Sequence, residues 1–454
     1  MLKKVLVANR GEIALRVIRA CRDLGIASVA AHSEADGDAA FVALADERVL
    51  LGPAPAPQSY LAVDKIVQVA RATGADAVHP GYGFLSENPT LARAVRDAGL
   101  VFVGPSAEVI EQLGSKLGTR RLMRAAGVPT PPGADVPTDL AAARALADTI
   151  GYPVLVKPSG GGGGRGMRIV ESPDGLERAL DTARREAERA FGDAEVYIEK
   201  LFPAARHIEV QIMGDAHGNL VHVGDRDCSL QRRHQKLVEE APAPGLSIEQ
   251  HAQVRALALR AARAVGYVNA GTVEFLFDGR EFYLLEVNTR IQVEHCVTEA
   301  VSGIDLVVEQ LRIASGEPLS FRQKDVVLRG TAIEARVYAE DPARKFLPSP
   351  GRITAARFPA GPWVREDRGV EAGDAITTHY DGLLAKLVVW GATREQAIAR
   401  TSRALAEYRI EGVATNVTFL RWLVATDAFR TLGYDTRYVE REFRPELLVP
   451  LSRP

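Results

Sequence analysis

Between Lys3 and Val103 short apolar runs alternate with amphipathic stretches, and that alternation restricts the start of the chain to a parallel sheet wrapped by helices. Lys4-Val-Leu-Val-Ala-Asn-Arg-Gly11 reads as strand and turn, and Glu12-Ile-Ala-Leu-Arg-Val-Ile-Arg-Ala-Cys21 as the helix that follows. The pattern continues with strand 27–31, helix 60–73, strand 77–79, helix 89–98 and strand 101–103. The first turn has no Gly-x-Gly-x-x-Gly, so it gives little support to a dinucleotide site.

Gly127-Val-Pro-Thr-Pro-Pro-Gly133 is Pro/Gly punctuation that leads into a small α+β unit: helix 139–150, strands 154–157 and 167–170, helix 174–190 and strand 196–199. Long strands dominate from Arg206 to Val287 around an amphipathic helix at 248–265. The last third, with strands 331–338 and 383–389 and helix 394–408, carries no motif of its own and is expected to complete the catalytic domain and supply an interface. A chain of 454 residues has room for two or three cores. Its 56 basic and 58 acidic residues make no electrostatic case for nucleic acid, and no apolar run is long enough to span a membrane. Met1 to Ala8 lacks a secretory pattern, and Cys21, Cys228 and Cys296 form neither a metal pattern nor a disulfide framework. A reducing cytoplasm is the expected location.

Two runs concentrate the chemistry. Gly271-Thr-Val-Glu274-Phe-Leu-Phe277 and Glu286-Val-Asn288 bracket Asp278-Gly279 as a hairpin does, gathering the oxygen donors Glu274, Glu286 and Asn288. Hard oxygens of this kind suit Mg²⁺ shared with nucleotide phosphates, whereas the bland alternative is an edge hairpin with solvated acids. The glycine run from Gly160, with Arg165 inside it, lies between two strands and just after Lys157. It reads as a lid whose amides turn toward phosphate, although a glycine run alone is often a flexible linker. Only ten residues are lysine, and Lys116, Lys157, Lys200 and Lys236 fall in this motif-bearing middle. A compact ammonium and a planar guanidinium do different work on phosphates. Glu199-Lys200-Leu201-Phe202-Pro203 has the form of a hinge whose backbone can meet a flat base edge. The run from Asp225 to Gly245 is too polar for a core; Gln231, His234 and Lys236 are candidates to line a pocket, and Lys236 with Arg290 suits a small oxyanion.

Four blocks together, His79-Pro-Gly-Tyr-Gly-Phe-Leu-Ser-Glu-Asn88, Lys157 to Met167, Asp225 to Lys236 and Glu286 to His295, resemble biotin carboxylase, an ATP-grasp enzyme that carboxylates biotin on a carrier. The resemblance runs from Lys3 to about Tyr438 in family order. It implies an N-terminal Rossmann-like (pre-ATP-grasp) domain at 1–114, an ATP-grasp domain at 115–329 with a mobile glycine-rich lid at about 132–203, and a C-terminal mixed α/β domain at 330–446. It further implies that Lys116, Lys157, Gly163, Gly164, the hinge Glu199, Lys200, Leu201 and Phe202, His207, Gln231 and His234 bind ATP. Glu274, Glu286 and Asn288 would hold Mg²⁺ or Mn²⁺, and Lys236, Arg290, Gln292 and Val293 would surround bicarbonate. Glu294 would deprotonate that bicarbonate, and Arg336 would stabilise the enolate-like ureido anion of biotin.

Two positions depart from the family pattern: Cys296 stands where proline is usual, and Leu201-Phe202 reverses the familiar aromatic-then-aliphatic order. There is no Met-Lys-Met biotinylation segment, so the expected partners are a separate biotin carboxyl carrier protein or domain and a carboxyltransferase subunit, with a homodimer as the assembly. Acetyl-CoA is the default acceptor, with propionyl-CoA, another acyl-CoA or pyruvate as alternatives. Another ATP-grasp carboxylate-amine ligase would share the lid, lysines and metal acids without needing Arg290 to Glu294 or Arg336, and a nucleotide-binding scaffold would bind ATP without turnover.

Overall fold

A computed structural model describes residues 1–136, 139–158, 167–191 and 195–448. The expected alternation at the start builds a parallel sheet of β1 (Lys4–Val7), β2 (Ala27–Ser33), β3 (Glu47–Gly52), β4 (Ala77–His79) and β5 (Val101–Phe102) in the order β3-β2-β1-β4-β5. The pattern did not reveal β3, because its first residues, Glu47 and Arg48, are exposed on the sheet edge and break the apolar signature. Helix α1 (Gly11–Asp23) begins at a glycine with φ of +65°, and buries Ile13, Ala14, Val17 and Ile18. That apolar face packs in one core with Met213, Val221, Val223, Ile291, Leu306 and Val307 from the middle of the chain. The helix expected from Tyr60 starts at Val63 instead, because the fully buried Tyr60 ring belongs to the core and its hydroxyl donates to Asp36 at 2.6 Å.

A second sheet joins β6 (Gly133–Asp135), β7 (Val154–Pro158), β8 (Arg168–Val170) and β9 (Val196–Lys200) in the antiparallel order β6-β9-β7-β8. Helices Leu140–Ile150 and Leu176–Phe191 accompany it, sharing a small core in which Ala143, Ala147, Leu176 and Leu180 meet Val154, Val156 and Ile198. Asp139 starts the first of these helices by accepting the Ala142 N–H at 2.8 Å.

The remaining long strands form one antiparallel sheet of eight. β14 (Phe282–Asn288), β13 (Asn269–Phe277), β10 (Arg206–Gly214), β11 (Leu220–Arg232), β12 (Gln235–Ala241) and β15 (Thr331–Tyr338) run in that order and continue into Leu383–Gly391 and Val364–Arg368. Helix Ile248–Ala264 lies on this sheet, opened by a capping box between Ser247 and Gln250. The polar run after Asp225 was expected to lie outside any core, and the structure corrects this. It forms β11 and β12 near the middle of the sheet, with Arg226 fully buried. Burial is possible because the Arg226 guanidinium donates to Glu209, Gln211, Thr298, Thr272 and Gln292 at 2.5–3.2 Å. No helix among the described residues is long and apolar enough to cross a membrane.

Candidate active site

One cavity of about 1370 Å³ is walled by the second sheet, the eight-stranded sheet and the segments that follow β1 and β4. Its walls include Lys116, Lys157, Glu199, Lys200, Leu201, Phe202, His207, Gln231, His234, Lys236, Glu274, Glu286, Asn288, Arg290, Gln292, Val293, Glu294 and Arg336. Every site residue expected from the sequence is therefore in one place, except Gly163 and Gly164, which lie outside the described residues.

The hairpin of β13 and β14 sets the acids. Glu274 and Glu286 are cross-strand partners, and Thr272 opposes Asn288. Glu274 is buried, so the solvated-acid alternative fails for it; Glu286 opens into the cavity. Enclosure, then Glu274 and Glu87, push the Glu286 carboxyl above its ordinary range, against Lys116 and Lys236. That carboxylate is short of positive charge, so the donor set fits a hard divalent cation.

At the far end of the cavity Lys236 holds three carboxylates at once: Glu209 at 2.6 Å, Glu274 at 2.8 Å and Glu294 at 2.6 Å. The other oxygen of Glu294 accepts from Arg336 at 2.8 Å, and Arg336 Nε donates to Glu239 at 2.5 Å. Burial and Glu209 raise the Glu294 carboxyl, but Lys236, Arg336 and Arg226 outweigh them and hold it well below the usual range. Gln292 is clamped between Glu274, to which it donates at 2.6 Å, and Arg226, from which it accepts at 2.6 Å. Arg290 donates to Glu87 at 3.0 Å and to Asn288 at 2.9 Å. The expected cationic pair of Lys236 and Arg290 is present, but each cation already faces acids. Behind Glu294, fully buried Lys386 donates to the Val293 carbonyl at 3.0 Å and meets Glu12 of α1 at 3.0 Å.

At the hinge end Glu199 pairs with Lys157 and, at 2.8 Å, with Arg120. Burial, then Lys157, hold the Lys116 ammonium below its ordinary range. The Lys200 ammonium is engaged within the protein, donating to the carbonyls of Gly151 and Tyr152 at 2.9 and 3.0 Å. Its backbone is more informative. Lys200 N–H donates to the Pro132 carbonyl at 2.7 Å, and Pro132 has no N–H with which to return the bond. The Lys200 carbonyl is thereby left without its ladder donor at the cavity wall. Phe202 stacks on Tyr283 with ring centroids 4.7 Å apart. Arg233 and His234 link β11 to β12 as a two-residue turn with φ of 51° and 66°, a conformation side-chain-bearing residues rarely adopt.

Sequence reasoning assigned no role to Glu209, Glu239, Arg226, Glu87 or Lys386. Glu209 was detectable, since His207, Glu209 and Gln211 alternate along β10 and share one face. Helix His295–Ser302, which directly follows Glu294, was also missed, because its residues are buried on nearly all sides and give no amphipathic period.

Comparison with known proteins agrees with this geometry. The profile for the biotin carboxylase N-terminal domain matches residues 1–110, that for the carbamoyl-phosphate synthase L chain ATP binding domain 116–322, and that for the biotin carboxylase C-terminal domain 334–441. The chain is 49% identical over 444 residues to biotin carboxylase of Haemophilus influenzae, covering 97% of this chain and 99% of that protein. It is 52% identical over 446 residues to a pyruvate carboxylase subunit of Methanothermobacter thermautotrophicus, covering 98% and 90% respectively. Among solved structures, a biotin carboxylase–β,γ-ATP complex from Campylobacter jejuni superposes with a TM-score of 0.94 at 44% identity, over 97% of this chain and 99% of that one. The biotin carboxylase domain dimer of Hydrogenobacter thermophilus 2-oxoglutarate carboxylase, with MgADP and bicarbonate, superposes with a TM-score of 0.93 at 45% identity over 98% of each chain. With the Glu294 carboxylate held between Lys236 and Arg336 in the cavity that Glu274 and Glu286 also line, and with this identity over nearly its whole length, the chain belongs to the biotin carboxylase family.

Proposed function

We propose that the chain uses ATP and bicarbonate to carboxylate biotin presented by a carrier protein or domain, with carboxyphosphate as the intermediate. The observation that carries this reading is the Glu294 carboxylate fixed between Lys236 and Arg336. The hinge takes the adenine through the free Lys200 carbonyl, while Lys116 and Lys157 meet the phosphates, with His207, Gln231 and His234 lining the approach. Glu274, Glu286 and Asn288 are the residues that would hold Mg²⁺, which neutralises charge on the nucleotide phosphates when bound.

Bicarbonate sits against Lys236, Arg290, Gln292 and the Val293 backbone. As the structure stands, Glu294 is a weak base because two cations hold its charge. An anion that shares Lys236 withdraws part of that hold and raises Glu294, so the base gains strength when bicarbonate arrives. Glu294 takes the bicarbonate proton, the freed oxygen attacks the γ-phosphoryl group, and ADP leaves. Carboxyphosphate then gives carbon dioxide and phosphate, the phosphate removes the ureido proton, Arg336 stabilises the resulting oxyanion by about 3–4 kcal/mol, and the ureido nitrogen adds to the carbon dioxide to form carboxybiotin. Fixed placement of the two reactants supplies much of the remaining acceleration.

The carboxylated carrier would then pass to a carboxyltransferase subunit. Relatives of this chain are subunits or domains of pyruvate, methylcrotonoyl-CoA and 2-oxoglutarate carboxylases, which supports such an assembly and a homodimeric arrangement. Phosphate release from Mg-ATP, measured with bicarbonate present or depleted and with free biotin added or omitted, tests the reading. Release is expected to require bicarbonate and to rise with biotin; release indifferent to both identifies another ATP-grasp ligase.

A further inference from the structure

Behind the base lies a second pair of carboxyl groups that this mechanism does not use. Glu239 of β12 and Glu334 of β15 are cross-strand partners, so their side chains leave the same face of the sheet from directly opposed positions. Neither is exposed at all. One oxygen of Glu239 accepts from Arg336 Nε at 2.5 Å; its other oxygen and both oxygens of Glu334 are buried without a partner. Two opposed carboxylates cannot both stay ionised in such a place, because each loses its water and repels the other.

The surrounding elements offer no cation to relieve them. Arg336, two residues along β15, already divides its guanidinium between Glu239 and Glu294. Lys236 on β12 serves its three carboxylates. Lys386, on the strand next to β15, is bound to Glu12 and the Val293 carbonyl. The helix His295–Ser302, packed over β12 and β15, brings the Cys296 thiol and a His295 imidazole that burial keeps neutral.

We propose that Glu239 and Glu334 hold one proton between them, seated on Glu334, and that this un-ionised carboxyl makes Glu334 a positioning residue for Arg336. A proton on Glu334 removes the repulsion and supplies the donor that the second oxygen of Glu239 lacks. Glu239 then stays anionic and keeps its grip on Arg336 Nε, which aims the other edge of the guanidinium at Glu294 and the cavity. The seat follows from the partners: Glu239 has a cation in contact and Glu334 has none. Burial, then Glu239, push the Glu334 carboxyl well above its ordinary range, while burial lifts Glu239 to about 7 against the pull of Arg336. With the proton on Glu239 instead, Arg336 would lose one anchor and close onto Glu294, tethering the base.

The effect on turnover rests on the roles given above to Glu294 and Arg336; the protonation state does not. Infrared difference spectra of the full chain at pH 8, wild type against Glu334→Gln, read the proton directly. The carbonyl stretch of one un-ionised carboxylic acid is expected in the wild type and absent from the variant; its absence from the wild type overturns the proposal whatever the enzyme's reaction. In turnover, Glu334→Ala is expected to lower the biotin-dependent rate about tenfold with an unchanged KM for ATP. Glu334→Gln, which keeps a neutral donor of the same shape, should recover most of that rate. A Gln variant as slow as the Ala variant overturns the positioning role, and where the Ala variant does not fold, the infrared result and the Gln variant decide.

Discussion

At the hinge end of the cavity Lys157 and Arg120 share one carboxylate, Glu199, with Lys116 close by; at the far end Lys236 meets Glu209, Glu274 and Glu294 together, with Arg226 also on Glu209 and Arg336 also on Glu294. Cations outnumber their carboxylate at one end and are matched by carboxylates at the other. A surplus of positive charge suits phosphates, and a matched set of charges fixes each carboxylate in place. The ends also differ in rigidity. In the proposed reading the hinge meets adenine through backbone, which leaves the order of Leu201 and Phe202 free. The far end is an interlocked set of fixed charges, in which deleting one partner strands the others.

The largest effect should come from breaking the far end at its centre. Lys236→Met leaves three carboxylates facing one another, and is expected to reduce turnover about 10³-fold and to destabilise the fold by about 3–5 kcal/mol. Steady-state kinetics and urea unfolding measure the two effects, and a stable, active variant would mean the three contacts are not a unit. Next comes Glu294→Gln, expected to lower bicarbonate-dependent turnover about 10²-fold while nucleotide affinity, read by calorimetry, stays unchanged. Loss of nucleotide binding in that variant would show that the ends are not separate.

An acid titration probes the same contrast through Glu299, which joins Arg16 of α1 to Arg365 at 2.9 and 2.7 Å. Burial raises this carboxyl, but His295, once it is protonated below about pH 3, outweighs it together with Arg16 and Arg365 and holds it at about 2, below the ordinary 4.5. A folded value below the unfolded one means the stabilisation is complete above about pH 4.5 and disappears as pH falls toward 2. Glu299→Gln should flatten acid unfolding in that window by about 1.4 kcal/mol per pH unit. The smallest effect belongs to the hinge: Lys200→Met removes an ammonium that caps two carbonyls, and is expected to change stability by about 1 kcal/mol and the KM for ATP by less than about threefold. A larger KM change would give the Lys200 side chain a ligand role beyond its present contacts.

The alternation of strand and helix, the acid-bearing hairpin and the hinge were legible because each is a local pattern: a period, a turn, a strand end. What escaped was set by pairing between distant segments. Arg226 looks solvated in the sequence, and only the arrival of Glu209, Thr272, Gln292 and Thr298 lets it be buried. Lys386 and Glu334 read as polar teeth on the exposed side of apolar strands until the helix after Glu294 covers them. Edge strands such as β3 and Val364–Arg368 were lost for the opposite reason, since exposure dilutes the apolar alternation by which a strand is recognised.

The ladder from Val238–Ala335 to Ala241–Ala332 stitches residues far apart in sequence into one sheet. A chain severed between β14 and β15 would therefore yield two raw edges, each with a row of unsatisfied amides and carbonyls, in place of two modules. Arg336 cannot be exchanged as part of a portable unit, because its position is measured from β12. Loops at the rim of the cavity carry no such constraint, but the sheet beneath them works only whole.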